Sequence, residues 1–163
     1  MPVYYLGVGG NLLPEENLPR ALELLREKVM VRKTSQVYRT APIGRQEQPG
    51  YLNCVWVVET VLPEDELKEL LARIERGLGR MRTADRFASR PIDLDIIARG
   101  KNDFEIIDED VFARDFLAVC LGEVVPDEIR RREGLGDAGG EGMEKADAVT
   151  ARLREILDRG KTS

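Results

Sequence analysis

Apolar and polar positions along the 163-residue chain change period several times, and each change marks an element. Residues 3–8 form a short apolar run that ends in Gly9-Gly10-Asn11, the pattern of a buried strand entering a tight turn. From Asn17, which suits a helix cap, Leu18, Ala21, Leu22 and Leu25 recur at helical spacing. Residues 29–38 then alternate, with Val29, Val31 and Val37 separated by polar side chains, which predicts a half-exposed strand. Residues 40–50 hold two prolines and two glycines and read as a long loop, a feature that compact domains often reserve for function. Residues 52–62 are rich in valine, carry Trp56 and predict a third strand. After Pro63, Leu67, Leu70, Leu71, Ile74 and Leu78 mark one face of a second helix that Gly79 ends. An arginine-rich loop and an apolar run at 92–97 follow.

Strand, helix, strand, strand, helix, strand is the order of a layered α/β (α+β) sandwich. It predicts a ferredoxin-like antiparallel sheet with its helices packed on one face and the functional residues on the open one. Beyond it, residues 113–124 suggest a helix closing on Pro126, and the glycine-rich stretch 133–142 reads as a flexible linker. Met143, Ala146, Val149, Leu153, Ile156 and Leu157 then form a helical apolar stripe, on a C-terminal extension that docks on its own domain or self-associates with a partner. The expected organisation is a catalytic unit at 1–132, a linker at 133–142 and a C-terminal helix at 143–163, with the first unit able to fold and act alone.

Composition narrows the function. A hydrophobic content of 42% supports a core of one domain, while a net charge of −5 argues against a protein that coats nucleic acid or an anionic membrane. Cys54 and Cys120 lie far apart in apolar surroundings and are expected to be buried free thiols, in keeping with a cytoplasmic protein. Neither a signal pattern nor a membrane-length apolar run is present. Gly7-Val-Gly9 is not a dinucleotide fingerprint, because Leu12 stands where the third glycine belongs.

The chemistry concentrates near residue 90. Asp93 and Asp95 sit one residue apart in the apolar run, so on a strand they share one face while Ile92, Leu94 and Ile96 take the other. Two carboxylates that close repel unless a cation lies between them, and hard oxygen donors without any histidine favour Mg²⁺ or Mn²⁺ over zinc. Arg80, Arg82, Arg86 and Arg90 precede the pair, and in an acidic protein such a local cluster suits a small polyphosphate.

These residues belong to a longer pattern. Tyr5-Leu-Gly-Val-Gly-Gly-Asn11, Ser35-Gln-Val-Tyr-Arg-Thr-Ala-Pro-Ile-Gly44, Gln46-Glu-Gln-Pro-Gly-Tyr-Leu-Asn53, Ile74-Glu-Arg-Gly-Leu-Gly-Arg80, Arg90-Pro-Ile-Asp-Leu-Asp-Ile-Ile97 and Arg114-Asp-Phe116 occur in order. Together they resemble the hydroxymethyldihydropterin pyrophosphokinase family up to about Pro126. The resemblance implies a folate-pathway transferase that moves pyrophosphate from ATP to the hydroxymethyl group of a reduced pterin, giving AMP. It implies that Asp93 and Asp95 bind two Mg²⁺ ions, and that Arg80, Arg82, Arg90 and Arg114 contact the triphosphate, with Arg86 a weaker candidate. Asp93, Asp95, Arg80, Arg82 and Arg90 are the expected catalytic residues. Tyr51 and Phe116 would sandwich the pterin and Asn53 would bond its edge, assisted by Thr40 and by backbone at Pro42 and Ile43. Glu75 falls where the family has a helix acid near the nucleotide, with its role left open. The chain departs from the family at Gly10, where the family usually has serine, and at Phe87-Ala-Ser-Arg90, where it has tryptophan followed by Gly-Pro-Arg. It also has Ile107-Asp108 in place of Pro-His, and an aspartate there is expected to weaken ATP contact. A non-catalytic pterin or nucleotide sensor and a metal-dependent nucleotidyltransferase are the alternative readings.

Overall fold

The computed structural model describes residues 1–40, 50–79, 91–136 and 143–159. In chain order the elements are β1 (Val3–Gly10), α1 (Pro14–Arg26), β2 (Met30–Thr34), β3 (Tyr38–Thr40), β4 (Tyr51–Glu59) and α2 (Glu64–Gly77). There follow β5 (Asp93–Arg99), β6 (Glu105–Ile106), α3 (Asp110–Ala113), α4 (Asp115–Val124), α5 (Asp127–Glu133), β7 (Glu144–Lys145) and α6 (Asp147–Asp158). The strands join in one sheet of order β6-β5-β1-β4-β3-β7, with β2 also on β4, and every pairing is antiparallel.

Period-2 alternation sends the sheet's side chains into two separate cores. Leu6, Val8, Cys54, Trp56, Val58, Leu94 and Ile96 meet the stripes of α1 and α2 on one face, where Leu18, Ala21, Leu22, Leu25 and Leu67 are wholly buried. That is the helical face the sequence predicts. Tyr5, Val55, Val57 and Ile97 point to the other face, which α4 partly covers with Leu117, Cys120 and Leu121. Helices therefore pack on both faces of the sheet, where the sequence predicts them on one. An extra residue in β5, Ile97, lies between the pairs Leu6–Ile96 and Tyr5–Ala98, and this bulge turns both Ile97 and Ala98 into the second core.

The single strand expected at 29–38 is two strands, both on the same edge of β4, separated by Ser35-Gln36-Val37. The Ser35 N–H still donates to the Val55 carbonyl of β4, at 2.8 Å, but the next two backbone N–H groups find distant partners. Glu123 accepts from the Gln36 N–H at 3.0 Å, and the Thr150 hydroxyl accepts from the Val37 N–H at 2.9 Å. The Gln36 side-chain amide also donates to Thr150 and Asp147, at 2.9 and 3.1 Å. A further difference lies at the start of α1. The helix begins at Pro14, whose fixed φ suits a first helical position, after Leu13 in a left-handed conformation (φ 46°). Asn17, expected as the cap, is inside the helix and donates its amide to the Leu12 carbonyl at 2.8 Å. The helix expected at 113–124 breaks at Arg114 into α3 and α4.

The C-terminal stripe docks on its own domain. Val149, Leu153, Ile156 and Leu157 of α6 enter the same apolar cluster as Leu22 and Leu25 of α1, Arg26 donates to the Ile156 carbonyl at 2.5 Å, and β7 extends the sheet from β3. The glycine-rich stretch is thus followed by a helix that shares the first core. Cys54 and Cys120 are buried free thiols, and burial holds both well above the usual range, Cys120 at about 12, so neither is a nucleophile near neutrality. Among the described residues, no helix is long and apolar enough to cross a membrane.

Candidate functional site

Strand register brings together residues that the sequence spreads over eighty positions. Asp93 pairs with Gly9 of β1, Gly9 pairs with Asn53 of β4, and Asn53 pairs with Tyr38 of β3. In the next row Asp95 pairs with Gly7, and Gly7 with Val55. Directly paired residues share a face, so Asp93, Asp95, Asn53, Tyr51, Thr40 and Tyr38 all project from the second face of the sheet. Between the aspartates and Asn53 the only residues are glycines. With strands about 4.8 Å apart, this leaves a glycine-floored trough about 9.5 Å across, which Asn53 Oδ1 overhangs at Gly9 and the Ile97 and Leu117 side chains overhang at Gly7. Both positions are tight: a Cβ on Gly9 would lie 2.7 Å from Asn53 Oδ1, and one on Gly7 would lie 3.1 Å from the Ile97 side chain, so either would displace a neighbouring side chain.

On one bank, Asp95 is exposed and Asp93 half-buried, while Leu94 and Ile96 between and beyond them anchor the strand in the first core. Neither aspartate contributes to that core. Among the described residues there is no cluster of three or more His, Cys, Asp or Glu side chains suited to a metal. A carboxylate pair alone still fits a hard divalent cation such as Mg²⁺, which keeps several waters and takes further oxygens from substrate phosphates.

On the other bank, Asn53 is 7% exposed and donates its amide to the Thr40 hydroxyl at 2.7 Å, which fixes its orientation and leaves Oδ1 directed toward Gly9. Tyr51 pairs with Thr40 at the mouth of β4 and is half-buried. Phe116, in the first turn of α4 and also half-buried, packs against the second core beside Leu117, which overhangs Gly7. The far end of α4 is tethered to β3 by Tyr38, whose hydroxyl donates to Glu123 at 2.8 Å. Burial, and then the Glu123 carboxylate, push the Tyr38 phenol well above its ordinary range, so it remains a neutral donor. With the buried Leu117, Cys120 and Leu121, this bond holds α4 on the sheet.

Arg114 is exposed in the break between α3 and α4. Asp108, at the position where the resemblance expects a histidine, accepts the Asp110 N–H at 2.9 Å, while its own N–H donates to the Ile97 carbonyl at 3.1 Å. Its carboxylate thus caps the start of α3. Pro42, Ile43, Arg80, Arg82, Arg86 and Arg90 lie outside the described residues. Gly7 and Gly9 were not assigned a positive role by the sequence, since only strand register reveals that they line up between the two banks.

Known proteins match this chain over the same stretch. The model of the 7,8-dihydro-6-hydroxymethylpterin-pyrophosphokinase family matches residues 5–126. A 2-amino-4-hydroxy-6-hydroxymethyldihydropteridine pyrophosphokinase of Haemophilus influenzae is 36% identical over 134 residues, covering 76% of this chain and 81% of its own length. Proteins of the same description are 36% identical over 106 residues in Bacillus subtilis, 63% of each chain, and 29% identical over 136 residues in Porphyromonas gingivalis, 77% of this chain and 92% of that one.

Proposed function

The chain belongs to the 7,8-dihydro-6-hydroxymethylpterin-pyrophosphokinase family, and from that premise we propose that it moves the terminal pyrophosphoryl group of ATP to the hydroxymethyl oxygen of 6-hydroxymethyl-7,8-dihydropterin. It is an enzyme of folate biosynthesis, a diphosphotransferase. In the proposed reaction the hydroxymethyl oxygen bonds to the β-phosphorus, the bridge between the α- and β-phosphates breaks, the hydroxyl proton is lost and AMP departs.

The observation that carries this reading is the two-banked trough. Asn53, oriented by Thr40, offers its Oδ1 acceptor to the edge of a flat heterocycle, and the half-buried rings of Tyr51 and Phe116 supply stacking faces. Across the glycines, Asp93 and Asp95 would hold Mg²⁺, two ions by the family resemblance. When bound, Mg²⁺ neutralises negative charge on the phosphates during transfer. The chain's own contribution is position: a hydroxymethyl group projecting from the pterin toward β5 meets the phosphates gripped there, and holding two reactants in contact accounts for much of a transfer enzyme's rate. Arg80, Arg82, Arg90 and Arg114 would grip the triphosphate, with Arg86 in a lesser part.

Incubation of the full chain with ATP, Mg²⁺ and the hydroxymethyl-dihydropterin, followed by nucleotide and pterin analysis, tests the reading. AMP and a pyrophosphorylated pterin in equal amounts are expected. Free pyrophosphate in place of the pterin product, or no product, would overturn it.

The trough also predicts the effect of one small substitution. Gly9→Ala places a methyl group against Asn53 Oδ1, so the Asn53 side chain must shift and give up either the Nδ2 bond to Thr40 or the Oδ1 contact with the ligand. Losing one neutral hydrogen bond costs about 0.5–1.5 kcal/mol, so pterin affinity should fall by roughly 2- to 10-fold. Binding of an ATP analogue should be much less affected. Fluorescence titration with the pterin checks this, and unchanged affinity would show that Asn53 is not a contact.

A further inference from the structure

Glu75 is a buried acid, 9% exposed, in the last turns of α2. Its Oε2 accepts the backbone N–H of Leu94 at 2.8 Å, and Leu94 is the residue between Asp93 and Asp95. The reason lies in the sheet. On its inner side β5 pairs with β1 through this stretch, whereas on its outer side β6 reaches only Ala98 and Arg99. N–H groups of alternate residues point to opposite edges of a strand, so the Leu94 N–H faces the outer edge at a position that no strand among the described residues covers. A buried N–H there needs an acceptor, and the Glu75 carboxylate supplies it.

We propose that Glu75 is a positioning residue for the aspartate pair, fixing the backbone between the two carboxylates so that both face the trough at the spacing that grips a divalent cation. This rests on the reading of Asp93 and Asp95 as metal ligands. Leu94 is held by its side chain in the first core and by its N–H from α2, while β1 holds the strand from the inner side. The pair is thereby prevented from rotating or sliding when charge accumulates beside it. Outer groups that orient metal ligands commonly change metal affinity by roughly 10- to 100-fold when removed.

Two conservative variants separate reach from charge. Glu75→Gln keeps the length and an acceptor oxygen but loses the charge, whereas Glu75→Asp keeps the charge and withdraws the carboxylate by about 1.5 Å, the length of one carbon–carbon bond. Binding of Mn²⁺, in the presence of a non-hydrolysable ATP analogue, is read by electron paramagnetic resonance on the full chain, with pterin affinity and unfolding temperature measured in parallel. Glu75→Asp should weaken Mn²⁺ binding at least 10-fold with pterin affinity unchanged, and Glu75→Gln should stay within about 3-fold of the parent. Parental Mn²⁺ affinity in Glu75→Asp, or a larger loss in Glu75→Gln than in Glu75→Asp, would overturn the positioning role alone. A parent chain that binds no Mn²⁺ would overturn the metal assignment on which it rests.

Discussion

Asp93→Ala and Asp95→Ala should each lower the rate of AMP formation by roughly 10²- to 10³-fold, the loss of about 2.7–4 kcal/mol that follows removal of one preorganised electrostatic contact to a transition state. The fold should survive. Asp95 is exposed and Asp93 half-buried on the trough face, whereas the strand is anchored from the opposite face by Leu94, 4% exposed, and Ile96, 8% exposed. Relief of carboxylate repulsion offsets part of whatever local contacts are lost, so the unfolding temperature should move little. Asparagine in place of alanine sharpens the test, because it keeps the shape and one oxygen while removing the charge that holds a divalent cation. Both asparagine variants should need far more Mg²⁺ for half-maximal rate than the parent. Near-parental turnover at limiting Mg²⁺ in any of the four variants would remove that aspartate from the metal site, and an equal loss of pterin affinity would move it to the other bank.

How far the sequence foretold this arrangement depends on which forces wrote each signal. The stripes Leu18-Ala21-Leu22-Leu25 and Leu67-Leu70-Leu71-Ile74 are periodic because each helix buries one face, and those residues are buried in the structure. The alternation at Asp93-Leu94-Asp95-Ile96 is equally local and holds. The break at Ser35-Gln36-Val37 was illegible for the opposite reason. Its residues continue an alternating pattern, and what ends the strand is a set of acceptors from Glu123 and Thr150, far away in the chain. The short helix α5, Asp-Glu-Ile-Arg-Arg-Arg-Glu, buries only Ile129 and so carries no stripe to read. In the site, the residue types that carry charge and aromatic surface could be named from the family resemblance. The trough could not, because glycines at positions 7 and 9 signify nothing until register sets one between Asp93 and Asn53 and the other beside Asp95. Glu75 likewise carries no local signal, since what it holds is the N–H of Leu94, nineteen residues away on another element.

The glycine-rich composition of 133–142 suggested that the chain could be cut there, and the packing of α6 leads to the reverse expectation. Removing residues 134–163 strips Val149, Leu153, Ile156 and Leu157 from the cluster that also holds Leu22 and Leu25. At about 1.5–3 kcal/mol for each fully buried side chain, the loss is roughly 6–12 kcal/mol as an upper bound. Whole domains are stable by only about 5–15 kcal/mol. The cut also removes the Thr150 hydroxyl, the acceptor for the Val37 N–H, and the β7 strand that covers the edge of β3. A chain ending at Glu133 should therefore be largely unfolded or aggregated at room temperature, although the family match ends at residue 126 and every proposed site residue is retained. Leu153→Ala probes the same packing in the full chain. Leu153 is wholly buried, and truncating such a leucine costs about 2–5 kcal/mol, which corresponds to a fall of roughly 4–20 °C in unfolding temperature for a domain of this size. Because Leu153 packs on the face opposite the trough, pterin affinity measured well below that temperature should stay near parental. If the shortened chain unfolds at the parental temperature, α6 contributes nothing to the core. If Leu153→Ala instead lowers pterin affinity without lowering stability, the helix acts on the site through β3 rather than through packing.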